Sequence, residues 1–231
     1  MPKIWAILPA AGAGKRFSTE KPKQFFALNE QLIAEHSLQR LLSIKSIYSV
    51  ILPCDNSAPW WSQVPSVKNP KVQQVTGGEQ RVNSVLNGLK AIAGHASATD
   101  WVLVHDIARP CVTAADINKL IDAVESHSVG GILTASIDQT LKKVSSDQQI
   151  KATVDRTQYR MAQTPQLFKY SLLIEAIENC LKAGITPTDE AFAIEYAGLP
   201  VLAVEGRQDN IKITRQEDLA IASAILKSQE L

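Results

Sequence analysis

The sequence predicts an α/β fold of three layers, in which helices cover both faces of a mostly parallel, twisted sheet. Short apolar runs recur along the chain, and longer segments with apolar residues at helical spacing lie between them. Strands that alternate with helices in this way are joined by right-handed crossovers, which place the strands parallel in one sheet. The predicted architecture is therefore a Rossmann-like three-layer sandwich.

Strands and helices alternate clearly up to Ile137 and again from Ser171 onwards. Thr113 is expected to cap the helix that follows it, because a threonine hydroxyl accepts a hydrogen bond from an amide of the first helical turn. In chain order, the predicted elements are a strand at Ile4–Pro9, a helix at Glu35–Ile44, strands at Tyr48–Pro53 and Val72–Thr76, a helix at Glu79–Ala93, a strand at Asp100–His105, a helix at Ala114–Ser126, a strand at Gly131–Ile137, a helix at Ser171–Ala183, a helix that opens at Thr188-Asp189-Glu190, a strand at Leu199–Val204 and a final helix from Thr214.

One segment, residues 138–157, interrupts this alternation. It is polar, and Ser145-Ser146-Asp147 provides a turn signal between two flanks of β character. The pattern predicts a β-hairpin that projects from the sheet. The sequence contains no internal repeat, low-complexity tract or linker, so we expect a single domain over residues 1–231 with 138–157 as its arm.

Composition and charge exclude several classes of protein. Hydrophobic residues make up 45% of the 231 residues and the formal net charge is +1, so a basic nucleic-acid surface is not expected. The first apolar run, Ile4–Leu8, is shorter than a signal-peptide core or a membrane span. Cys54, Cys111 and Cys180 are odd in number and widely spaced, which argues against a disulfide framework or a zinc site. We expect a cytoplasmic protein that binds neither nucleic acid nor membrane.

The first predicted strand runs into a turn of small residues followed by cations, Pro9-Ala10-Ala11-Gly12-Ala13-Gly14-Lys15-Arg16-Phe17. Small residues at the end of a first strand let the backbone approach a phosphate. Phe17 stands where the dinucleotide fingerprint needs glycine or alanine, and Arg16 stands where the P-loop needs serine or threonine. A simple tight turn remains possible, but Lys15, Arg16 and Lys23 together favour a site for a triphosphate.

Further motifs follow this turn in a fixed order. They are Pro22-Lys23-Gln24, Gly77-Gly78-Glu79-x-Arg81-x-x-Ser84-Val85, Val104-His105-Asp106-Ile107-Ala108-Arg109-Pro110, Val154-Asp155-Arg156, Gln163-Thr164-Pro165-Gln166, Thr188-Asp189-Glu190 and Glu205-Gly206-Arg207-x-Asp209-Asn210-Ile211-Lys212. The ordered set, from residue 4 to about 220, resembles the 2-C-methyl-D-erythritol 4-phosphate cytidylyltransferases, a family of nucleotidyltransferases that activate polyol phosphates. One departure is Ile107, where the family more often has alanine.

This resemblance implies a fold of the nucleotide-diphospho-sugar transferase type and a reaction between two substrates. A phosphate oxygen of 2-C-methyl-D-erythritol 4-phosphate attacks the α-phosphorus of CTP, and the products are 4-diphosphocytidyl-2-C-methyl-D-erythritol and pyrophosphate. The resemblance also implies a step of the non-mevalonate isoprenoid pathway, a requirement for Mg²⁺ or another divalent cation, and a homodimer with a shared active site. In such a dimer, segment 138–157 reaches the site of the partner.

Residue roles are implied by the same resemblance. The catalytic cations are Arg16 and Lys23. CTP is bound by Ala10, Ala11, Gly12, Gly14, Lys15, Gly78, Arg81, Ser84 and Asp106. The acceptor is bound by Arg109, Thr140, Arg156, Thr188 and Lys212, since arginine suits bidentate phosphate contacts and lysine acts as a point charge. The metal ligands are Asp106 and Asp209. A solvated position for Lys15 and a turn-forming role for Asp209 remain alternative interpretations.

Two alternative functions stay open at this point. A ribitol 5-phosphate cytidylyltransferase would share the CTP half of the site and differ at the acceptor pocket. A catalytically silent homologue would act as a binding module, but one set of residues present together speaks against it: Arg16, Lys23, Asp106, Arg156 and Lys212. The four histidines have neither a dyad nor a metal spacing, and a hydrogen-bonded structural role is favoured for His105.

Overall fold

A central sheet organises the part of the chain that the structure describes. The computed structural model describes residues 2–12, 14, 17–18 and 20–229. The strands in this part are β1 (Ile4–Ile7), β2 (Ala27–Leu28), β3 (Gln31–Leu32), β4 (Ile47–Cys54), β5 (Val72–Thr76), β6 (Trp101–Val104), β7 (Gly130–Ala135), β8 (Leu141–Val144), β9 (Ile150–Val154), β10 (Met161–Lys169) and β11 (Leu202–Glu205). The α-helices are α1 (Ile33–Leu42), α2 (Arg81–Ala91), α3 (Ala114–Val124), α4 (Tyr170–Lys182), α5 (Glu190–Tyr196) and α6 (Asp218–Gln229).

Seven strands form the main sheet, in the order β11-β7-β10-β6-β1-β4-β5. Strands β6, β1, β4 and β5 form a parallel block, and β7 runs parallel to β11. Strand β10 lies between β6 and β7 and is antiparallel to both. The predicted α/β fold with a mostly parallel sheet is therefore confirmed.

Alternate strand residues point to opposite faces of the sheet and build two separate cores. In β1, Ala6 packs on the face covered by α1 and α3, whereas Ile7 packs on the face covered by α2, α4 and α5. Both side chains are completely buried. The result is the predicted three-layer sandwich. In the described residues, no helix is long and apolar enough to cross a bilayer.

The segment that interrupts the alternation forms the predicted hairpin. Strands β8 and β9 pair with each other in antiparallel register and form a two-stranded sheet of their own. The turn between them is closed by the Ser145 amide, which donates to the Gln149 carbonyl at 3.0 Å. Val144 and Ile150 are exposed, the latter to 66%. The hairpin thus presents apolar side chains that the chain itself leaves uncovered.

Strand β10 has no counterpart among the elements predicted from the sequence. Pro165 lies inside it, and proline in a central strand removes a ladder hydrogen bond. The structure accommodates Pro165 in a bulge: Ala162 pairs with Thr134 and Gln166 with Ile132, so three residues of β10 lie opposite one residue of β7. This bulge also frees the Thr164 side chain to turn towards β6.

Two late elements begin after their predicted starts. Helix α6 starts at Asp218 instead of Thr214, because the Asp218 carboxylate accepts hydrogen bonds from the Thr214 amide and hydroxyl and holds the preceding residues in a turn. Strand β11 starts at Leu202 instead of Leu199, since the Leu199 amide still bonds to the end of α5. The predicted Thr113 cap is confirmed, with its hydroxyl accepting from the Asp116 amide.

Replacement of Gly130 by alanine is expected to destabilise the fold strongly. Gly130 has a φ of 146°, and a Cβ atom there would lie 2.1 Å from the Leu167 carbonyl oxygen of β10. Backbone strain and overpacking together should lower the free energy of unfolding by roughly 2–5 kcal/mol, measured by urea denaturation. Gly94→Ala is the matched control, because a Cβ at Gly94 meets nothing within 4 Å. Equal stability of both variants would contradict the close approach of β7 and β10.

Candidate active site

A cavity of about 320 Å³ opens at the carboxyl ends of the parallel strands, where α/β sheets bind their ligands. Three segments that follow β1, β5 and β6 form most of its described wall, and Lys23, Gln24 and Lys212 complete it. The lining residues are Pro9, Ala10, Ala11, Gly12, Gly14, Lys23, Gln24, Gly78, Glu79, Gln80, Arg81, Ser84, Asp106, Ile107, Ala108 and Lys212.

Small residues shape one side of this cavity. A Cβ atom at Gly77 would lie 2.3 Å from Ala11 Cβ, and one at Gly78 would lie 2.3 Å from Asn83 Cβ. Glycine is therefore required at position 77, where the chain passes the segment after β1, and at position 78, where it passes the first turn of α2. The Ser84 hydroxyl accepts from the Gly78 amide at 3.0 Å, and the buried Gln24 amide donates to the Ala10 carbonyl at 2.8 Å. These bonds fix the backbone that faces the cavity.

The Asp106 carboxylate forms the charged centre of the site. Arg81 Nε lies 2.7 Å from its Oδ1 atom, Lys212 Nζ lies 2.7 Å from its Oδ2 atom, and Arg109 Nε lies 3.9 Å from Oδ2. Burial opposes the ionisation of Asp106, but the charges and hydrogen bonds of Arg81 and Lys212 outweigh it and hold the pKa of Asp106 well below its usual value. The aspartate is thus a carboxylate at any physiological pH.

Arg81 bridges Asp106 to a second carboxylate, Glu190. Its NH1 and NH2 atoms donate to the two Glu190 oxygens at 2.7 and 2.9 Å. Burial acts against the charged guanidinium, yet Glu190 and Asp106 together raise the pKa of Arg81 above its usual value. Glu190 is the first residue of α5, and the preceding Asp189 caps that helix by accepting from the Phe192 amide. The start of α5 therefore determines where Arg81 lies.

A second cavity, of about 180 Å³, adjoins the first on the other side of Asp106. Arg81, Asp106 and Lys212 line both cavities. The remaining lining residues of the second cavity are Arg109, Ala162, Gln163, Thr164, Gln166, Thr188 and Asp189. Two ligands placed in the two cavities would therefore meet at one carboxylate and its cations.

The bulge of β10 supports the loop that carries Asp106. The Asp106 amide donates to the Thr164 hydroxyl at 3.0 Å, and that oxygen lies 3.1 Å from His105 Nδ1. His105 Nε2 lies 3.1 Å from the Arg109 carbonyl oxygen, which can only accept, so Nε2 carries the proton of the neutral ring. Asn210 donates to the Thr164 carbonyl and accepts from Arg109 NH1 through its own carbonyl. His105 is thus the hydrogen-bonded structural histidine that the sequence favoured.

Most of the predicted site residues lie together around the two cavities. These residues are Ala10, Ala11, Gly12, Gly14, Lys23, Gly78, Arg81, Ser84, Asp106, Arg109, Thr188 and Lys212. Lys23 Nζ donates to the Ile213 carbonyl at 2.7 Å, in the segment that also carries Lys212. The predicted residues Lys15 and Arg16 lie outside the described residues.

Three predicted residues lie elsewhere. Thr140 and Arg156 are exposed at the base of the hairpin, where Arg156 donates to the Asp138 carbonyl, and neither lines either of these two cavities. Asp209 forms an ion pair with Arg207 and also lines neither cavity. Within the described residues, no cluster of three or more histidine, cysteine or carboxylate side chains is arranged to hold a metal ion. A metal ion bound by Asp106 would therefore also need oxygen atoms from the bound substrates.

Sequence reasoning assigned no site role to Glu190, Gln24 or Thr164, although all three lie within the quoted motifs. Glu190 was expected only to open a helix. Its partner Arg81 is 109 residues away, so no local spacing could have revealed the pair. The available signal was the negative charge of Glu190 at the predicted start of a helix. A negative charge there also stabilises the helix itself, so it does not by itself indicate an ion pair.

The fold and the site define the class of the protein. A three-layer α/β sandwich with a cationic, glycine-walled cavity at the carboxyl edge of its sheet is the framework of a nucleotidyltransferase. The sequence model of the family described as 2-C-methyl-D-erythritol 4-phosphate cytidylyltransferase matches residues 4–228. This chain belongs to that family.

Individual relatives agree with this membership over nearly their whole lengths. The 2-C-methyl-D-erythritol 4-phosphate cytidylyltransferase of Tolumonas auensis is 43% identical over 231 residues, which are 100% of both chains. That of Hahella chejuensis is 42% identical over 225 residues, 97% of this chain and 93% of the relative. The crystal structure of the Francisella tularensis enzyme of the same name superposes with a TM-score of 0.81 at 34% identity, covering 96% of this chain and 99% of that one.

The buried His105 should make the stability of the fold dependent on pH. Burial lowers the pKa of His105 from 6.5 to about 4, against the attraction of Asp106. The unfolded chain therefore binds a proton at higher pH than the folded one, and the free energy of unfolding falls as pH drops from about 6.5 to 4. The expected loss is about 3 kcal/mol, measured by urea denaturation at pH 7, 5.5 and 4.

His105→Gln should flatten this pH dependence, because the variant has no imidazole to protonate in the unfolded chain. His95→Gln is the control, since His95 is exposed and its replacement leaves the buried ring in place. The same slope in His105→Gln as in the original chain would show that another group is responsible.

Proposed function

We propose that the chain transfers the CMP group of CTP to 2-C-methyl-D-erythritol 4-phosphate, giving 4-diphosphocytidyl-2-C-methyl-D-erythritol and pyrophosphate, at the site around Asp106. The observation that carries this proposal is the pair of cavities that adjoin at Asp106 and Lys212. A transfer between two phosphate-bearing substrates requires both to approach a common charged centre. Membership of the cytidylyltransferase family supplies the identity of the substrates.

CTP occupies the first cavity in this proposal. The cytosine lies against Ala10, Ala11, Gly78 and Ser84, where small side chains leave room for a flat ring and backbone groups can bond its edge. The triphosphate extends towards Lys23, and by family resemblance towards Gly12, Gly14, Lys15 and Arg16. Lys23 and Arg16 stabilise the charge that develops on the α-phosphate, and loss of such a contact costs about 10²–10³ in rate.

The acceptor occupies the second cavity, with its phosphate near Lys212 and Arg109 and a hydroxyl near Thr188. A phosphomonoester is mostly a dianion near neutral pH, so its oxygen can attack the α-phosphorus without a general base. This agrees with the neutral, fully hydrogen-bonded His105, which is placed to support the loop and not to accept a proton. The chain's task is therefore to position two polyanions and to neutralise their charge.

The residues present fit a divalent cation at Asp106. Mg²⁺ is commonly bound through one or two carboxylates together with substrate phosphates, and Asp106 is an ionised carboxylate that faces both cavities. When bound, the ion neutralises phosphate charge and favours departure of pyrophosphate. Asp209 remains a predicted second ligand, and this role requires that it leave its ion pair with Arg207.

The proposal includes a homodimer in which the arm of one chain completes the site of the other. Thr140 and Arg156 lie on the hairpin, away from both cavities of their own chain. An isolated two-stranded hairpin is marginally stable in water, and exposed Val144 and Ile150 give it an apolar surface to cover. A single domain over residues 1–231, an arm at 138–157 and a cytoplasmic location are parts of the same proposal.

The purified chain is expected to release pyrophosphate from CTP when 2-C-methyl-D-erythritol 4-phosphate and Mg²⁺ are present. Small residues around the base should favour cytosine, so ATP, GTP and UTP should react far more slowly. EDTA should abolish the reaction, because Asp106 then lacks the cation proposed to join it to the phosphates. A coupled pyrophosphate assay with each nucleotide measures all of these rates.

Ribitol 5-phosphate is the control acceptor, since it tests the second cavity while leaving the CTP half unchanged. Preference for ribitol 5-phosphate would assign the chain to the alternative acceptor. Lack of pyrophosphate release with any nucleotide and either acceptor would favour a silent binding homologue.

Subunit mixing should reveal whether the site is shared. In a heterodimer of Lys23→Ala and Arg156→Ala chains, one site carries both defects and the other carries neither. Random exchange should therefore restore about a quarter of the original sites, because half of the dimers are mixed and each has one intact site. Activity before and after exchange is measured, with exchange confirmed by native mass spectrometry.

The matched control is a mixture of Lys23→Ala with Lys212→Ala, two residues of the same chain's cavity. Each site of that heterodimer keeps one defect, so activity should stay low. Failure of the Lys23→Ala and Arg156→Ala mixture to recover activity, despite confirmed exchange, would refute the shared site.

A further inference from the structure

Arg81 is held between two carboxylates on three of its nitrogen atoms. Nε donates to Asp106 Oδ1 at 2.7 Å, and NH1 and NH2 donate to Glu190 at 2.7 and 2.9 Å. Glu190 is only 2% exposed, so this fork is shielded from water on the Glu190 side. Bidentate pairing of this kind fixes both the position and the plane of a guanidinium.

The two oxygens of Asp106 consequently have different partners. Oδ1 is bonded to the fixed Arg81, whereas Oδ2 is bonded to Lys212, whose side chain is 38% exposed and bears a single, flexible ammonium group. Arg109 approaches Oδ2 only to 3.9 Å. Lys212 is therefore the partner of Asp106 that an incoming ligand can replace most easily.

Glu190 also carries a negative charge next to a site for polyanions. On charge alone it weakens the attraction for CTP, since it is buried against Arg81, which lines both cavities. A buried carboxylate at this place is therefore not explained by substrate affinity. What Glu190 does instead is fix the position of Arg81, and Arg81 in turn is bonded to Asp106.

We propose that Glu190 is a positioning residue of the active site: through Arg81 it keeps Asp106 Oδ1 occupied, so that the aspartate offers a divalent cation one oxygen, Oδ2, in exchange for Lys212. This inference rests on the proposed function. A carboxylate that offers one oxygen suits Mg²⁺, which is bound through few carboxylate oxygens and keeps several waters, better than Ca²⁺, which often takes both oxygens. Lys212 lines both cavities, so its ammonium group, once released from Asp106, would be available to bind a substrate phosphate.

Glu190→Gln tests this proposal, because it keeps the size of the side chain and removes its charge. Without the charged fork, Arg81 is free to turn towards Asp106 and compete for Oδ2. Glu195→Gln is the matched control, because Glu195 is an exposed glutamate of the same helix. The carboxylate of α5 that is bonded to Arg81 is that of Glu190. Calorimetry gives the dissociation constant of CTP in EDTA and in Mg²⁺ for each protein, and the pyrophosphate assay gives kcat and KM.

The expected signature separates metal coupling from nucleotide binding. In EDTA, Glu190→Gln should bind CTP as tightly as the original chain or more tightly, because a negative charge is removed. The strengthening of CTP binding by Mg²⁺ should shrink by about 10–100-fold relative to the original chain, as for other residues that orient a metal ligand, and kcat should fall. Mg²⁺ also binds free CTP, but this binding is the same in the titrations of every variant and therefore cancels in the comparison.

Two results would overturn the proposal. One is an Mg²⁺ effect in Glu190→Gln equal to that of Glu195→Gln; the other is an equal loss of CTP binding with and without Mg²⁺, which indicates a purely structural role. If Glu190→Gln does not fold, as judged by circular dichroism, Arg81→Lys tests the same link, because one ammonium cannot hold both carboxylates. Turnover by the original chain tests the proposed function separately. If the original chain shows no turnover, the proposed function is refuted, and the calorimetric comparison of CTP binding still tests the role of Glu190.

Discussion

A carboxylate that is almost removed from water remains ionised only where cations replace its hydration, and Asp106 meets this condition through residues from three separate parts of the chain. Arg81 comes from the first turn of α2, Arg109 from the loop after β6, and Lys212 from the segment before α6. Arg81 and Arg109 are themselves partly buried, and the carboxylate offsets the loss of their hydration in return. The packing of these three segments around the edge of the sheet is thus tied to one ion-pair network.

The charges of this network explain how a nearly neutral chain can receive polyanions. Among the described residues that line the two cavities, four carry a positive charge (Lys23, Arg81, Arg109 and Lys212) and three a negative one (Glu79, Asp106 and Asp189), which leaves a local excess of one. That excess lies in a concave, low-dielectric site, where its field is stronger than on an open surface. A formal net charge of +1 for the whole chain is therefore compatible with phosphate binding.

Local patterns predicted the parts of the fold that are built from adjacent residues. The apolar run of β1, the glycine-bearing turn behind it and the aspartate at the end of β6 could all be recognised, because each depends on spacing within a few positions. Strand β10 could not, since Pro165 and the bulge around it disrupt the alternation of a strand. The pairing of Arg81 with Glu190 was equally hidden, because it joins elements that only the finished sheet brings together.

The antiparallel insertion of β10 also bears on how the chain folds as it is synthesised. The parallel block of β6, β1, β4 and β5 uses residues up to Val104, whereas β7 pairs, within the described sheet, only with the later strands β10 and β11. Synthesis runs from the amino terminus, so the apolar strand β6 emerges well before Met161–Lys169, which covers one of its edges in the finished sheet. An uncovered edge of this kind is a template for association with other chains. Strand β10, which joins the parallel block to β7, therefore also covers an edge at which nascent chains could associate.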